Sequence, residues 1–546
     1  VTKLSLLLKV LEGENDETIS KQLKLFQERA LPDLSNNIKC GNSLIGWDIL
    51  KDNPSLTQEE IGRINPFDWE KEFPEIFQRG GFSVVIGNPP YIRIQAMKEW
   101  APHEVEYYKR KYASASKGNY DIYVVFVEKC LSLLNKNGSL GFILPHKFFN
   151  AKYGEPLRSM LADYKNLLQI IHFGDQQVFD GVTTYTCLLF LSKSAISEFQ
   201  FVKVDDLGKW SGTGEATTTS MIAAEKVTKN EWNFISGKNT SLFDKLSEIP
   251  AKLGNVASIF VGLQTSADKA YVLEELAIID DKFVKVKDSN GFEWCLERAI
   301  LRPFLNHITV ATYEQPFSRH WLIFPYCLDS GKALLIPANK ISSSYPHTWA
   351  YLQSISKVLR GRESGKADND QWYGYIYRKN LTLFDNPKLI VQVISKTGKY
   401  GYDDTSLYFT GGGNGPYYGI RWADQSNQHS LNYLQALLSS NLLDHYLHQV
   451  STPFRGGYWS YGKRFIEQLP IRTIDFSDPI DVARHDRMVS LVEQMLSLHK
   501  QLKEARTPHE QTGLQRQIEA TDQQIDALVY ELYGLTEEEI RIVEGE

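Results

Sequence analysis

The stretch Phe82-Ser83-Val84-Val85-Ile86-Gly87-Asn88-Pro89-Pro90-Tyr91 decides the fold class. It reads as a short buried strand that ends in a loop, where two adjacent prolines restrict the backbone. Other short apolar runs follow, and helical segments flank or separate them. The strand-like runs are 82–86, 140–144, 168–173 and 187–191, and the helical segments are 2–11, 19–26, 121–134 and 156–164. Strands that alternate with helices predict an α/β sheet with crossover connections, and runs this apolar predict a sheet covered on both faces.

The residue pattern of the sequence changes after Ser192. Between residues 251 and 470 the segments are irregular, rich in aromatic residues and interrupted by glycine and proline, which is typical of a mixed domain whose long loops bind something. Two apolar stripes at helical spacing then predict a helical hairpin at the end of the chain. Its second helix begins at the capping box Thr507-Pro508-His509-Glu510 and ends near Gly534. We therefore expect three domains, at residues 1–200, 201–475 and 476–546.

The composition restricts the class of protein. The chain has 546 residues, of which 42% are hydrophobic and 23% are charged, so it resembles an ordinary globular protein and not a disordered one. Lys and Arg number 60 against 66 Asp and Glu, and this net charge of -6 excludes a uniformly basic binder. Residues 251–470 alone carry 23 basic and 19 acidic side chains, or +4, which permits a polyanionic partner.

Several kinds of site and location are disfavoured. No run approaches the roughly 18 to 20 apolar residues of a membrane helix, and no signal peptide is visible, so we expect no membrane association. The five cysteines form no CxxC pair, which excludes a zinc knuckle, and we expect no metal site. Scattered thiols in a chain of this length predict a reducing, cytoplasmic compartment.

The loop Asn88-Pro89-Pro90-Tyr91 is the strongest candidate for chemistry. A loop at the carboxyl end of a strand is where α/β sheets bind ligands. The Asn88 side-chain oxygen and the Pro89 carbonyl can both accept hydrogen bonds from one planar amino group, which makes its nitrogen a better nucleophile without a general base. Tyr91 offers a flat face on which a base can stack. The alternative interpretation is a rigid turn with a tyrosine in the core.

This loop and its surroundings resemble the N6-adenine DNA methyltransferases of the gamma order, especially the TaqI-like and type IIG restriction–modification enzymes. The resemblance covers nearly the whole chain, and the order of its motifs is specific. The segments that carry it are Lys39-Cys40-Gly41-Asn42-Ser43-Leu44, Phe73-Pro74-Glu75-Ile76-Phe77, residues 81–91, Asp121-Ile122-Tyr123, Gly141-Phe142-Ile143-Leu144-Pro145, Val178-Phe179, and Glu467-Gln468-Leu469-Pro470-Ile471 with the helical tail.

The resemblance implies a fold and an activity. The fold is α/β, with a partial Rossmann-like methyltransferase sheet, followed by a mixed α+β target recognition domain and a C-terminal helical hairpin. Residues 1–200 are then the C-terminal part of the catalytic domain. The implied activity is site-specific transfer of a methyl group from S-adenosylmethionine to the exocyclic amino group of an adenine in double-stranded DNA, in a restriction–modification system. The adenine must leave the duplex, as in other base-modifying enzymes.

The functional positions of the family correspond to residues of this sequence. The loop Asn88-Pro89-Pro90-Tyr91 matches the motif that holds the target adenine, and Phe179 matches the aromatic residue on the other face of the extruded base. Asn42 matches the contact to the adenine of S-adenosylmethionine, with Ser43 beside it. In the recognition domain we expect a loop whose cations hold phosphates and whose aromatic groups reach bases. Its residues are Arg455, Tyr458, Trp459, Tyr461, Lys463 and Arg464.

The sequence departs from the family in two places. Ser83 stands where many relatives carry an aspartate before the catalytic strand. The glycine-rich cofactor loop and the acidic ribose-binding residue, which in the family precede the helix expected at 2–11, are missing. We therefore expect a C-terminal portion that lacks most of the S-adenosylmethionine pocket and is inactive by itself. No nuclease constellation stands out, since residues 363–366 imitate an acidic–lysine pattern with the wrong spacing in a polar loop.

Two other functions stay open. One is a non-catalytic DNA sequence-recognition module in which the loop at 88–91 is left over and unused. The other is a methyltransferase acting on RNA or on a protein glutamine, since such enzymes use similar tetrapeptides. Those enzymes are usually compact and do not need residues 251–470, and binding to duplex DNA separates them from the leading hypothesis.

Overall fold

The structure is a computed structural model that describes residues 9, 36–179, 184–235, 237, 239–306, 309–411, 415–423 and 429–545. The chain divides into two compact units, residues 1–237 and 238–546. The helices predicted at 2–11 and 19–26 lie outside the described residues, apart from Lys9, which is helical. The finer division at residues 200 and 475 stays a prediction.

Unit 1, residues 1–237, is built around a mixed sheet with the strand order β1-β2-β4-β3-β5-β6. Its described strands are β1 (Phe82–Gly87), β2 (Leu134–Pro145), β3 (Leu167–His172), β4 (Thr186–Ser192), β5 (Glu198–Val204) and β6 (Thr217–Ala223). Its described α-helices are α1 (Ile49–Asp52), α2 (Gln58–Ile64), α3 (Trp69–Glu72), α4 (Pro74–Gln78), α5 (Ile94–Trp100), α6 (Pro102–Lys111), α7 (Tyr123–Leu133), α8 (Glu155–Asp163) and α9 (Leu207–Thr213).

The directions of the strands bring several chain segments to one edge of this sheet. β1 runs parallel to β2, with Gly87 opposite Phe142, and β3 runs parallel to β5. β4 is antiparallel to both of its neighbours, β2 and β3. The carboxyl ends of β1, β2 and β3 and the amino end of β4 therefore lie at the same edge. The crossover that sequence alternation predicts between strands is present from β1 through α7 to β2.

The two faces of the sheet are covered unequally at β1. On one face, Tyr123 and Val127 of α7 share a buried core with Leu140 and Phe142 of β2. On β1, the side chains of Val84 and Ile86 are 59% and 83% exposed. β1 is an edge strand within the described sheet, and cover on both of its faces stays a prediction.

The helix predicted at 121–134 gives way directly to a strand. α7 ends at Leu133 and β2 begins at Leu134, so Gly138 lies inside β2. The register between β1 and β2 shifts beside this glycine, between Phe82 and Val84. A Cβ atom at Gly138 would lie 2.7 Å from the Phe82 carbonyl oxygen, so only glycine allows this close approach of the two strands.

Unit 2, residues 238–546, combines antiparallel sheets with helices. Its described strands are β7 (Ala257–Val261), β8 (Val272–Ile278), β9 (Phe283–Lys287), β10 (Glu293–Glu297), β11 (Leu301–Pro303), β12 (His320–Ile323), β13 (Tyr326–Asp329), β14 (Lys332–Leu335), β15 (Lys388–Gln392), β16 (Ile394–Ser395), β17 (Tyr400–Asp403), β18 (Tyr417–Trp422), β19 (Pro453–Phe454) and β20 (Tyr458–Ser460). They pair in the orders β10-β9-β8-β12-β11, β17-β15-β18-β7, β16-β20-β19 and β13-β14.

The α-helices of unit 2 follow in chain order. They are α10 (Asn239–Ser247), α11 (Leu253–Val256), α12 (Asp268–Tyr271), α13 (Ala338–Ser344), α14 (Pro346–Ser354), α15 (Ser356–Arg360), α16 (Arg362–Gly365), α17 (Leu431–Ser439), α18 (Asn441–Val450), α19 (Lys463–Ile466), α20 (Pro479–Glu504), α21 (Pro508–Leu532) and α22 (Glu537–Glu544). The predicted helical hairpin is formed by α20 and α21, whose apolar stripes share one core with α17 and α18.

The predicted helix signals of the hairpin are present. The Glu510 N–H donates to the Thr507 hydroxyl at 3.3 Å, and the Thr507 N–H donates to the Glu510 carboxylate at 3.2 Å. This is the capping box, and it satisfies donors that the first turn of α21 leaves open. Gly534 follows the end of α21 with φ +60°, a conformation that favours glycine.

The described residues therefore form a mixed α/β protein, as the sequence predicts for the fold class. Within the described ranges, α20 and α21 are the longest helices, and no helix there is both long and apolar enough to cross a membrane. The same ranges contain no group of three or more His, Cys, Asp or Glu side chains placed to hold a metal ion.

A buried ion pair joins two strands of unit 2. Lys388 begins β15 and Asp403 ends β17, opposite each other, and both side chains are fully buried. The Lys388 Nζ donates to Asp403 at 2.5 Å and to the Phe384 carbonyl at 2.6 Å. Asp403 also accepts hydrogen bonds from the N–H groups of Thr405 and Leu407 at 2.9 and 3.0 Å. These bonds compensate the cost of removing both charges from water.

Replacing Asp403 with alanine is expected to lower the free energy of unfolding by about 3 to 5 kcal/mol, because the Lys388 ammonium would stay buried without its partner. Denaturant unfolding followed by circular dichroism measures the change. The control is Glu293→Ala, which removes the partner of Lys285 from a surface pair with a 2.6 Å separation and should cost less than about 1 kcal/mol. Equal losses in the two variants would show that burial of the first pair does not matter.

Candidate functional site

The loop Asn88-Pro89-Pro90-Tyr91 lies at the shared edge of the unit 1 sheet, directly after β1. The chain on its far side is fixed to the segment that opens α7. The Ile94 N–H donates to the Tyr120 carbonyl at 2.9 Å, and the Ile122 N–H donates to the Ile92 carbonyl at 2.9 Å. The asparagine and the second proline of the loop are exposed, whereas the first proline is buried. The loop is therefore held at both ends and presents an exposed amide.

Tyr91 anchors the loop to the neighbouring strand. Its side chain is half-buried, and its ring lies edge-on to Tyr123 of α7, with 6.5 Å between ring centres. Its hydroxyl donates to the Ile143 carbonyl of β2 at 3.2 Å. Burial raises the pKa of Tyr91 to about 12, so this hydroxyl stays protonated and remains a donor. The tyrosine thus ties the loop to the core, and its stacking on a base stays a prediction.

Two neutral histidines, which the sequence reasoning missed, lie at the same edge. His146 follows the end of β2 and His172 ends β3, and their ring centres are 4.2 Å apart. The His146 N–H donates to the Tyr185 carbonyl at 3.3 Å, and the His172 Nδ1 accepts from the Gly174 N–H at 3.1 Å. Burial lowers the pKa of His146 to about 4 and that of His172 well below its usual range. The sequence signal that could have identified His146 and His172 is their position at the end of an apolar strand.

Phe179 lies in the segment between the carboxyl end of β3 and the amino end of β4. Both of these ends lie at the edge of the sheet that carries Asn88. The side chain of Phe179 is half-buried, and its carbonyl accepts a hydrogen bond from the Gln177 Nε2 at 2.7 Å. Residues 180–183 lie outside the described residues. The fold therefore brings Phe179 and the loop after β1 to one edge, and its contact with an extruded base stays a prediction.

Asn42 and Ser43 form a turn before α1. The Asn42 side-chain oxygen accepts the Leu44 N–H at 3.2 Å, and the Asn42 N–H donates to the Asn65 carbonyl at 2.7 Å. The Ser43 carbonyl accepts from the Trp69 Nε1 at 3.0 Å. Both residues are half-buried. One amide and one hydroxyl can contact one edge of an adenine ring, so these residues fit a part of an S-adenosylmethionine pocket and not a whole one.

The loop predicted to contact DNA in unit 2 spans β20 and the start of α19. Arg455, Tyr458, Lys463 and Arg464 are exposed, as a phosphate-contacting surface requires. The ammonium of Lys396 lies 5.3 Å from the centre of the Tyr458 ring, which adds a cation to this surface. The structure therefore brings most of the predicted contact residues to one exposed region.

Two of the predicted contact residues lie deeper. Trp459 is half-buried and stacks on His448 of α18, with ring centres 4.4 Å apart and planes 16° apart. Tyr461 is 1% exposed, and its hydroxyl donates to Asp444 at 2.5 Å. Asp444 also accepts the Gly398 N–H at 2.8 Å. Burial raises the pKa of Asp444 and that of Tyr461. Tyr461 thus supports the loop from beneath.

Comparison with known proteins identifies relatives of this chain. Residues 1–179 match the model of the Eco57I restriction-modification methylase family. The chain is 32% identical over 544 residues to the type II restriction enzyme and methyltransferase RM.Eco57I of Escherichia coli, covering 97% of this chain and 52% of that protein. It is 24% identical over 486 residues to the type II methyltransferase M.PaeR7I of Pseudomonas aeruginosa, covering 84% and 72%. The chain thus spans about half the length of the E. coli relative.

A solved structure shares the fold. The chain resembles the type IIL restriction-modification enzyme MmeI in complex with DNA, with a TM-score of 0.53 and 13% sequence identity. The match covers 88% of this chain and 57% of that chain. At this identity, the likeness shows the fold alone.

Replacing Tyr91 with phenylalanine is expected to lower the free energy of unfolding by about 1 kcal/mol, because the Ile143 carbonyl loses its side-chain donor. Thermal unfolding followed by circular dichroism measures the loss. The matched control is Tyr164→Phe, at a tyrosine that is 67% exposed, and it should leave stability unchanged. A Tyr91→Phe variant as stable as its control would show that the hydroxyl contributes nothing.

Replacing Tyr461 with phenylalanine is expected to cost about 1 to 3 kcal/mol of stability, since the buried Asp444 carboxylate loses a donor. Urea unfolding is the measurement. Tyr458→Phe is the control, because that side chain is 41% exposed and its loss should lie within about 0.5 kcal/mol. A smaller loss at residue 461 than at residue 458 contradicts the supporting role.

Proposed function

Because residues 1–179 match the model of the Eco57I restriction-modification methylase family, we propose that this protein acts in a restriction–modification system as a site-specific DNA methyltransferase. The acceptor is the exocyclic amino group of an adenine that has left the duplex, and the methyl donor is S-adenosylmethionine. The chain spans about half the length of the E. coli relative. Its own share of the activity is the part that holds the target base and the part that reads the DNA.

The fixed loop after β1 carries this proposal. Asn88 is exposed at the carboxyl edge of the sheet, and the chain on both sides of its loop is hydrogen-bonded in place. A ligand at such an edge meets the Asn88 side-chain oxygen and the Pro89 carbonyl together. Both are acceptors, and an adenine amino group carries two N–H donors. Two acceptors match one planar donor group, so this loop favours adenine over bases that carry a carbonyl at the position of the amino group.

The same contacts prepare the nitrogen for reaction. When both N–H bonds point at acceptors outside the ring plane, the nitrogen lone pair withdraws from conjugation with the purine. The nitrogen then becomes the nucleophile, and S-adenosylmethionine supplies the methyl group to it. Acceptors that are already in position need no reorganisation during the reaction, which lowers its barrier. Asn42 and Ser43 hold part of the donor in this proposal, and a reducing cytoplasmic compartment suits the free cysteines.

Sequence recognition belongs to unit 2 in this proposal. The exposed cations Arg455, Lys463 and Arg464 suit phosphate oxygens, and Tyr458 and Trp459 supply aromatic faces. Tyr461 acts as a positioning residue through Asp444. A pure recognition module shares these features, and the exposed Asn88 amide on a backbone held at both ends favours the methyltransferase over it.

The test uses the whole 546-residue chain and a duplex selected with it from a random-sequence pool. 2-Aminopurine replaces each adenine of the selected site in turn, and its fluorescence rises several-fold when it leaves the base stack. We expect one position to brighten on binding. At that position, replacing adenine with purine, which lacks the amino group, should weaken binding by about tenfold, which corresponds to the ~1.5 kcal/mol of a good hydrogen bond.

The variant Asn88→Ala should bind the duplex but lose most of this preference for adenine over purine. Asn137→Ala is the matched control, because Asn137 is exposed near the opposite edge of the same sheet. If no adenine position brightens, base flipping by this chain is wrong. An unchanged preference in the Asn88 variant would refute the acceptor role, and tighter binding to single-stranded RNA than to duplex DNA would favour the RNA alternative.

A further inference from the structure

Unit 2 contains a strained turn at residues 363–365 that has no role in the proposed function. Glu363 and Ser364 have φ of 48° and 59°, in the left-handed region, and Gly365 follows with φ of 86°. Residues with a Cβ atom rarely adopt this region, and consecutive residues do so even less often. Both side chains are exposed. Strain of this kind persists only where the surroundings hold it, and it clusters at binding sites.

Arg362 holds the turn from beneath. Its side chain is 7% exposed, and each guanidinium nitrogen donates to a backbone carbonyl. The acceptors are Leu359 at 2.7 Å, Thr265 at 3.0 Å, Trp372 at 2.5 Å and Gly374 at 3.0 Å. A buried cation that is fully bonded to main-chain carbonyls fixes the start of the turn without using any side chain of it.

The segments around the turn are strained and exposed as well. Ser266 has φ of 58°, and it follows Thr265, whose carbonyl Arg362 binds. Tyr377 is 40% exposed, its backbone pairs with Gln264, and the nearby Glu363 carboxylate raises the pKa of its phenol. Three chain segments thus form one anchored region, here named the 363 surface. It comprises Ser266, Glu363, Ser364, Lys366, Tyr377, Arg378 and Lys379.

The 363 surface is continuous with the loop predicted to contact DNA. Asn380 follows it and donates through Nδ2 to the Val261 carbonyl of β7 at 3.0 Å. Lys463 of the predicted loop donates to the Ile259 carbonyl of the same strand at 3.0 Å. Carbonyls two residues apart in a strand point to the same side and lie roughly 7 Å apart. The chain that follows the 363 surface and the loop predicted to contact DNA are therefore both bonded to one edge of β7.

The charges of the 363 surface distinguish two kinds of contact. Lys366, Arg378 and Lys379 are exposed cations, which suit phosphates. Glu363 carries a carboxylate, which repels phosphates and lowers the affinity for any polyanion. On a surface that faces DNA, such a carboxylate can distinguish one base from another, because it accepts hydrogen bonds from the exocyclic amino groups that bases present in the major groove.

We propose that Glu363 is a specificity-determining residue that reads the exocyclic amino group of a cytosine or adenine in the major groove, while Lys366, Arg378 and Lys379 hold the flanking phosphates. This inference rests on the proposed function, since it requires that unit 2 recognises duplex DNA. The strained turn fixes the backbone of Glu363, and the Tyr377 phenol lies near its carboxylate. Ser364 lies beside it as a second group that can donate or accept.

The test is selection of duplexes from a random-sequence pool by the whole chain and by its variants. The unsubstituted chain enriches a defined motif. Glu363→Ala should enrich the same motif with one position relaxed, where cytosine or adenine was required, and discrimination at that position should fall about 5- to 150-fold. Glu363→Asn should relax the same position, and it keeps the turn because asparagine tolerates left-handed backbone. Glu248→Ala, at an exposed glutamate of unit 2 outside this surface, is the matched control and should change nothing.

The cations have a different signature. Lys366→Ala should weaken binding to all sequences alike and reduce the slope of log affinity against log salt by about 1, without changing the motif. An unchanged motif in both Glu363 variants overturns the reading role of Glu363 and leaves the proposed function intact. If the unsubstituted chain enriches no motif, the proposed DNA recognition fails and this inference fails with it.

Discussion

The parallel pairing of β1 with β2 is the constraint on which the candidate catalytic region depends. It places the loop after β1 and the segment after β2 at one edge. β4 is antiparallel to β2, so the segment with Phe179, which leads into β4, lies at the same edge. The hydrogen bond from Tyr91 to the Ile143 carbonyl then ties the loop to β2. Two prolines restrict the same loop, so the backbone that carries the exposed Asn88 amide and the Pro89 carbonyl has little conformational freedom.

In unit 2, buried polar groups likewise fix chain segments in place. Arg362 bonds to backbone carbonyls beneath the 363 surface, and Asp444 accepts from Tyr461 and Gly398 beneath the predicted DNA loop. Lys388 and Asp403 join β15 to β17. Each group would be costly to bury alone, and each is compensated by several bonds. Exposed loops with few apolar contacts of their own therefore obtain a defined conformation from polar contacts below them.

Much of the fold and part of the site were predictable from local patterns. Alternation of apolar runs predicts the α/β class, the capping box at Thr507 predicts the start of α21, and two prolines after a strand mark the loop at Asn88. These signals depend on neighbours in sequence. The pairing of His146 with His172 depends on the strand order β2-β4-β3, which no local pattern contains. The burial of Tyr461 depends likewise on α18, and the left-handed backbone at Glu363 depends on a distant set of carbonyls. The sequence predicts a DNA contact for Tyr461 and only a polar loop at residues 363–366, because nothing beside them in the chain signals these buried contacts.

The anchoring of the 363 surface separates its scaffold from its side chains. Arg362 holds the turn through the carbonyls of Leu359, Thr265, Trp372 and Gly374, and every amino acid supplies a carbonyl. Arg362 therefore depends on the main chain at those four positions and not on side-chain acceptors, and substitutions at residues 363 and 364 do not touch these bonds. Exchange of these exposed side chains leaves the anchoring bonds in place, and the left-handed backbone at residues 363 and 364 favours glycine, asparagine and aspartate among the replacements. On the proposed function, new target sequences can arise by altering a few outward-facing residues without redesigning the domain that carries them.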